Sequence, residues 1–126
     1  MRVWVPLDAA AKALGADAVA AALAQDFTVT RNGTRGMIWL EPLVEVETPE
    51  GRIGYGNVNP DQVGDLLDGR LNSLRRVEDI DWFARQTRLT FARCGVIDPL
   101  DLDDYETHGG LVGLRRAIGM TGSQIV

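Results

Sequence analysis

RNGTRGMIWLEP, residues 31–42, decides how the first half of this chain is read. Its glycines, Gly33 and Gly36, stand three apart ahead of an apolar run, the spacing of a loop that wraps something small. Nothing in the loop binds a metal or a phosphate strongly. On its N-terminal side FTVTR (27–31) alternates with the period of a strand. On its C-terminal side PLVEVET (42–48) does the same, setting Leu43, Glu45 and Glu47 against Val44 and Val46, so that one face of the strand is expected to be wet. PEG (49–51) is a turn, with Pro49 fixing φ and Gly51 permitting a positive one, and RIGYG (52–56) returns at hairpin distance.

Working outward, RVWV (2–5) is β-branched or aromatic at three of its four positions and stops at Pro6, which predicts a first strand. The stretch LDAAAKALGADAVAAALAQ (7–25) predicts a helix. Asp8 is its candidate cap, its apolar surface is spread over Leu14, Ala18, Val19, Ala21 and Ala22, and Gly15 weakens it without ending it. Alanine in that quantity points to close packing against a sheet. NPDQVGDLLDGRL (59–71) predicts a second helix, capped by Asn59, opened by Pro60 and burying Val63, Leu66, Leu67 and Leu71. The resulting order, strand, helix, strand, strand, strand, helix, defines an α/β domain over residues 1–71.

From Asn72 the character changes. Residues 72–93 hold Arg75, Arg76, Arg85, Arg88 and Arg93 against three acids and have weak periodicity, so a basic linker crossing a surface is expected there. Residues 94–126 are expected to be helical. Asp98 and Pro99 mark a turn, and Asp101, Asp103 and Asp104 favour the positive end of a helix dipole. These acids lack the central glycine and closing glutamate of a calcium loop, which leaves helix capping as their role. GLVGLRRAIGM (110–120) predicts another helix, and Thr121 or Ser123 would cap a further one whose first apolar residues are Ile125 and Val126. An apolar start without continuation is expected of a chain that is the front part of a longer polypeptide.

The bulk properties fit one core. The chain has 126 residues, 45% of them hydrophobic and 25% charged, and a net charge of -5, which disfavours nucleic acid and anionic membrane surfaces as partners. No signal-peptide core and no membrane-length apolar window occurs in it, so a cytoplasmic location is expected. A single cysteine, Cys94, excludes an internal disulfide, and in an apolar context it is expected to be an inert thiol, buried or half-buried, in preference to a nucleophile. The single histidine, His108, precedes two glycines and is expected at a helix C-terminus. No catalytic, cofactor-binding or metal-ligating residue is assigned.

With these residues in view, VTRNGTRGMIWLEPLVEVETPEG (29–51) resembles the cluster-binding half of the thioredoxin-like two-iron ferredoxins, and GYGNVNPDQVGDLLDGRL (54–71) resembles their closing strand and helix. The resemblance places the four cluster cysteines of that family on Pro6, Ala11, Thr34 and Ile38, none of which is a thiolate. It therefore implies a thioredoxin-like, ferredoxin-type fold that binds no cluster, because such sites need four thiolates. It also implies that packing replaced the cluster, with Ile38 drawn into the core.

RLTFARCGVIDPLDLDDYETHGGLVGLRRAIGMTGSQIV (88–126) is similar to the segment that leads into the NADH-oxidising flavoprotein subunit, ahead of its flavin-binding loop. The two resemblances in this order match the beta subunit of soluble NAD-dependent formate dehydrogenases, with NAD-reducing hydrogenases and NADH dehydrogenase flavoprotein subunits as neighbours. They imply a non-catalytic docking portion working beside a molybdenum subunit and a small ferredoxin-like subunit. FMN, NAD and an iron-sulfur cluster are expected only downstream of Val126. The alternative is a free-standing thioredoxin-like module that recruits a protein partner through residues 70–93.

Overall fold

The computed structural model describes Met1–Ile125 and is a mixed α/β structure built on one open sheet. In chain order the main elements are β1 (Arg2–Pro6), α1 (Ala9–Ala13), α2 (Ala16–Leu23), β2 (Thr28–Asn32), β3 (Val44–Thr48), β4 (Gly51–Tyr55) and α3 (Val63–Leu67). After them come α4 (Asp81–Ala84), α5 (Leu102–Thr107), α6 (Val112–Ile118) and α7 (Gly122–Ile125). The four strands lie in the order β2-β1-β3-β4. β1 runs parallel to β2, which requires the helical crossover between them, and antiparallel to β3, while β3 and β4 form a hairpin in register from Val44 opposite Tyr55 to Thr48 opposite Gly51. The Glu41–Pro42 peptide ahead of β3 is cis.

Alternation along the strands sends two sets of side chains to opposite faces. On one face Val3, Val5, Val44 and Val46 meet Ala11, Val19, Ala20 and Leu23 from the crossover and Val63 and Leu66 from α3. Each aliphatic side chain fully buried in this way contributes about 1.5–3 kcal/mol. The opposite face is also covered. Met37, Leu43 and Val77 form a second buried cluster against which Leu40, Ile80 and Phe83 pack.

That second layer comes from the stretch expected as a linker. The Leu74 amide donates to the Gly54 carbonyl at 2.9 Å, the Gly54 amide donates to the Arg75 carbonyl at 3.0 Å, and Ile53 bridges Arg76, so the chain lies along β4 before Val77 turns inward. Farther on, Asn32 Nδ2 donates to the Gly95 carbonyl at 2.7 Å and Arg52 to the Val96 carbonyl at 2.8 Å, which latches residues 95–96 across the same face.

The covered face corrects the expected wet side of β3: Leu43 and Glu45 are each 1% exposed, and only Glu47 reaches solvent. The helix read over 7–25 is two helices. Gly15 adopts φ +98°, a left-handed conformation that breaks the run after Leu14 and re-aims the chain, so Ala11, Ala16, Val19, Ala20 and Leu23 are buried while Leu14, Ala18 and Ala21 are exposed. Asp8 stands at the N-cap position but makes no side-chain capping bond. On α3 the expected burial of Val63 and Leu66 is observed, whereas Leu67 is exposed and Leu71 half-buried. Asn59 and Gln62 form a capping box around the Pro60 start. Val126, read as part of the last helix, lies outside the described residues.

Candidate functional site

The loop 33–42 is held from within by polar contacts. Thr34 Oγ1 donates to Glu41 Oε1 at 2.8 Å and accepts from the Gly36 amide at 2.9 Å, and Glu41 Oε2 accepts from the Leu43 amide at 3.0 Å. Between these clasps Arg35 and Met37 turn inward, 2% and 0% exposed. Ile38 does not: it opens a 3-10 turn, Ile38–Leu40, and is 58% exposed, so its expected place in the core is taken by Met37 one residue earlier. Of the other three positions singled out with it, Pro6 and Ala11 are buried and Thr34 is half-buried in the clasp.

Glu41 is almost fully buried, and its carboxyl is pushed above the ordinary 4.5: burial raises it, the Leu43 amide and the Thr34 hydroxyl oppose, and Asp8 and Glu45 add to the rise. For an acid raised in the folded state, stability is fully present below the unfolded value and falls as pH rises through the folded one. Glu41→Gln removes that titration; its carbonyl can accept from the Leu43 amide while its NH2 donates to Thr34 Oγ1, reversing that contact. Chemical denaturation between about pH 4 and pH 7.5 is therefore expected to show the variant gaining on the wild type as pH rises from about 4.5. A difference independent of pH would refute this.

Beneath the loop lies a charge cluster. Arg35 grips Glu45 side-on, Nε to Oε1 and Nη2 to Oε2, both at 2.7 Å, and Arg52 Nη1 approaches Oε2 at 3.4 Å. The two guanidiniums respond in opposite directions. Burial lowers both and is the largest single cause at each, but at Arg35 the bonds to Glu45 together with the charges of Glu45 and Glu78 outweigh it and the pKa is raised, whereas Arg52 is lowered. Arg52 instead stacks 3.5 Å from the Trp4 ring centroid and holds the Gly95 and Val96 carbonyls. This cluster faces inward and joins three parts of the chain.

Above it is an open, apolar cleft of about 420 Å³ between the 3-10 turn and α4. Its walls are Trp39 and Trp82, 56% and 43% exposed, set edge-to-face at 88° with ring centroids 5.2 Å apart. Leu40 and Ile80, which pack on the second core cluster, also line it, with Arg75 and Asp81 beside them. The Trp82 ring lies over Gly36, where an added Cβ would come within 3.3 Å of it. The cleft is thus fixed from below by buried residues and presents two indoles to solvent. Sequence reading did not single it out: the tryptophans are 43 positions apart in chain order, and the only cue is that each sits among apolar neighbours in a stretch without strand or helix period.

The acids and lone residues of the C-terminal part fall where their chemistry put them, except one. Asp101 caps α5, accepting from the Asp103 and Asp104 amides, and Asp98 accepts from the Leu100 amide in a turn. His108 ends α5 with Nδ1 3.0 Å from Asp104. Cys94 is exposed, contrary to the expected burial, because the residues that turn inward beside it are Gly95 and Ile97. Among the described residues no group of three or more His, Cys, Asp or Glu side chains could hold a metal ion, and no helix is long and apolar enough to cross a membrane. No protein-family model and no curated protein matches this chain.

Proposed function

We propose that this chain is the N-terminal, non-catalytic docking portion of the flavoprotein subunit of an NAD-dependent formate dehydrogenase, in which residues 1–71 are a thioredoxin-like domain that has lost its two-iron cluster. The observation that carries this reading is the sheet. A parallel βαβ unit from β1 to β2 is extended across β1 by the antiparallel hairpin β3–β4 and followed by α3, which supports a thioredoxin-like topology. Pro6, Ala11, Thr34 and Ile38 supply no thiolate, so the role left to these residues is to position other parts of the complex. FMN, NAD and iron-sulfur clusters belong on this reading to the rest of the subunit and to its partners, the molybdenum subunit and a small ferredoxin-like subunit.

The test is recovery of the native polypeptide with an antibody against residues 1–71. Formate-dependent reduction of NAD in the recovered material is the expected result. Hydrogen-dependent reduction would assign the chain to a hydrogenase instead, and recovery with no NAD-linked activity would overturn the reading. The second reading, a free-standing module that recruits a protein partner, is favoured by one feature, the tryptophan cleft that the arginine-rich segment forms against the Ile38–Leu40 turn. It predicts a recovered partner without flavin.

A further inference from the structure

The geometry points to the Trp39/Trp82 cleft as the docking site for a short acidic segment of a partner protein, one that carries a leucine or similar aliphatic anchor between its carboxylates. The assignment rests on reading the chain as a docking domain and names the surface and the partner chemistry that such a domain would use.

Shape and polarity give the anchor. Two exposed indoles held at right angles over a half-buried floor of Leu40 and Ile80 form a preformed apolar slot, and Leu74, 42% exposed, lengthens the apolar strip. A branched aliphatic side chain entering such a slot is desolvated at little ordering cost to the protein, because Trp82 is already braced against Gly36 and Ile80 against the second core cluster.

Charge gives the flanks. The chain as a whole is acidic, at -5, yet residues 72–93 invert that balance with five arginines against three acids. The acids are engaged: Asp79 by Arg76, Asp81 by Arg75 and Glu78 by Arg35. Arg75 lines the cleft and meets Asp81 only at 3.5 Å on the surface, a pair that yields easily to a competing carboxylate. Arg85, the C-cap of α4 three residues after Trp82, is exposed and makes no ion pair among the described residues. An apolar slot with the weakly paired guanidinium of Arg75 in its wall and the unpaired one of Arg85 three residues beyond Trp82 complements an acidic, leucine-bearing peptide and opposes a basic one.

The probe is a labelled peptide PLDLDD, the sequence of residues 99–104, whose leucines are freely exposed in this protein and which carries the required pattern. Binding is followed by peptide anisotropy and by tryptophan emission, which two of the three tryptophans report from the cleft. Saturable binding that weakens as salt rises is expected. Trp39→Ala and Arg85→Glu, both at exposed positions, are each expected to weaken it at least about tenfold with an unchanged circular dichroism spectrum. Equal binding of the charge-reversed peptide PLKLKK, insensitivity to Trp39→Ala, or no binding at millimolar peptide would each overturn the proposal. Sedimentation velocity separates the remaining occupant: concentration-dependent dimers that PLDLDD dissociates would make a second copy, and not a partner protein, the ligand of the cleft. The outcome is independent of the antibody recovery above, since peptide binding can fail while NAD-linked activity is recovered, and the reverse.

Discussion

Glu45→Ala is expected to lower the unfolding free energy by about 3–5 kcal/mol, measured by urea denaturation with tryptophan emission as the signal. The cost does not come from losing a strong attraction. A buried ion pair is worth little against its own desolvation, but breaking one by removing a single partner leaves an uncompensated buried charge. Here two charges are left. Arg35 is 2% exposed, and among the described residues its remaining acidic neighbour is Glu78 at 3.4 Å; Arg52 loses its one carboxylate contact among those residues and keeps two carbonyls and the Trp4 ring. The double variant Arg35→Met with Glu45→Leu tests this account. It removes one charge of each sign and refills the space with apolar groups, so it is expected to recover more than half of the loss. If it is as damaging as Glu45→Ala, uncompensated charge is not the cause.

What the sequence made legible here depends on how local each signal is. Strand alternation, the Pro49–Gly51 turn, the Asn59–Pro60 helix start and the Asp101 cap are each encoded within a few residues, and each is present. Glu45 shows the limit. An acid alternating with apolar residues reads as a solvent face, because its partner Arg35 lies in an irregular loop and the cover over both comes from residues 74–97. That cover has no period to detect: it is Val77, Ile80 and Phe83 placed singly by short turns. Ile38 and Met37 could not be ranked either, since in a 3-10 turn adjacent apolar residues point to different sides and only the packed structure chooses. The cleft was missed for the same reason, its two tryptophans being brought together by the second layer and by nothing in their own neighbourhoods.

Residues 72–126 are joined to residues 1–71 along β4 at 74–77 and again at Gly95. It adopts φ +79°, and a Cβ there would overlap Arg35 Cδ and lie 2.8 Å from Arg35 Nε. A flexible side chain could swing aside, but this one is locked by two bonds to Glu45. Gly95→Ala is therefore expected to cost about 3 kcal/mol, combining overpacking with a left-handed backbone that an L side chain disfavours. Two relaxations are open to the variant. Either Arg35 gives up its fork on Glu45, or residues 93–98 lift away and release the carbonyls held by Asn32 and Arg52. The second breaks neutral or half-exposed bonds and spares the buried pair, so it is the one expected. Hydrogen exchange decides between them: faster exchange confined to residues beyond 93 with β3 still protected is the predicted pattern, and loss of protection in β3 would show that the ion pair yields first. The same measurement asks how the C-terminal segment is attached, because Gly95 supplies two of the three carbonyl contacts by which Asn32 and Arg52 hold it to the sheet.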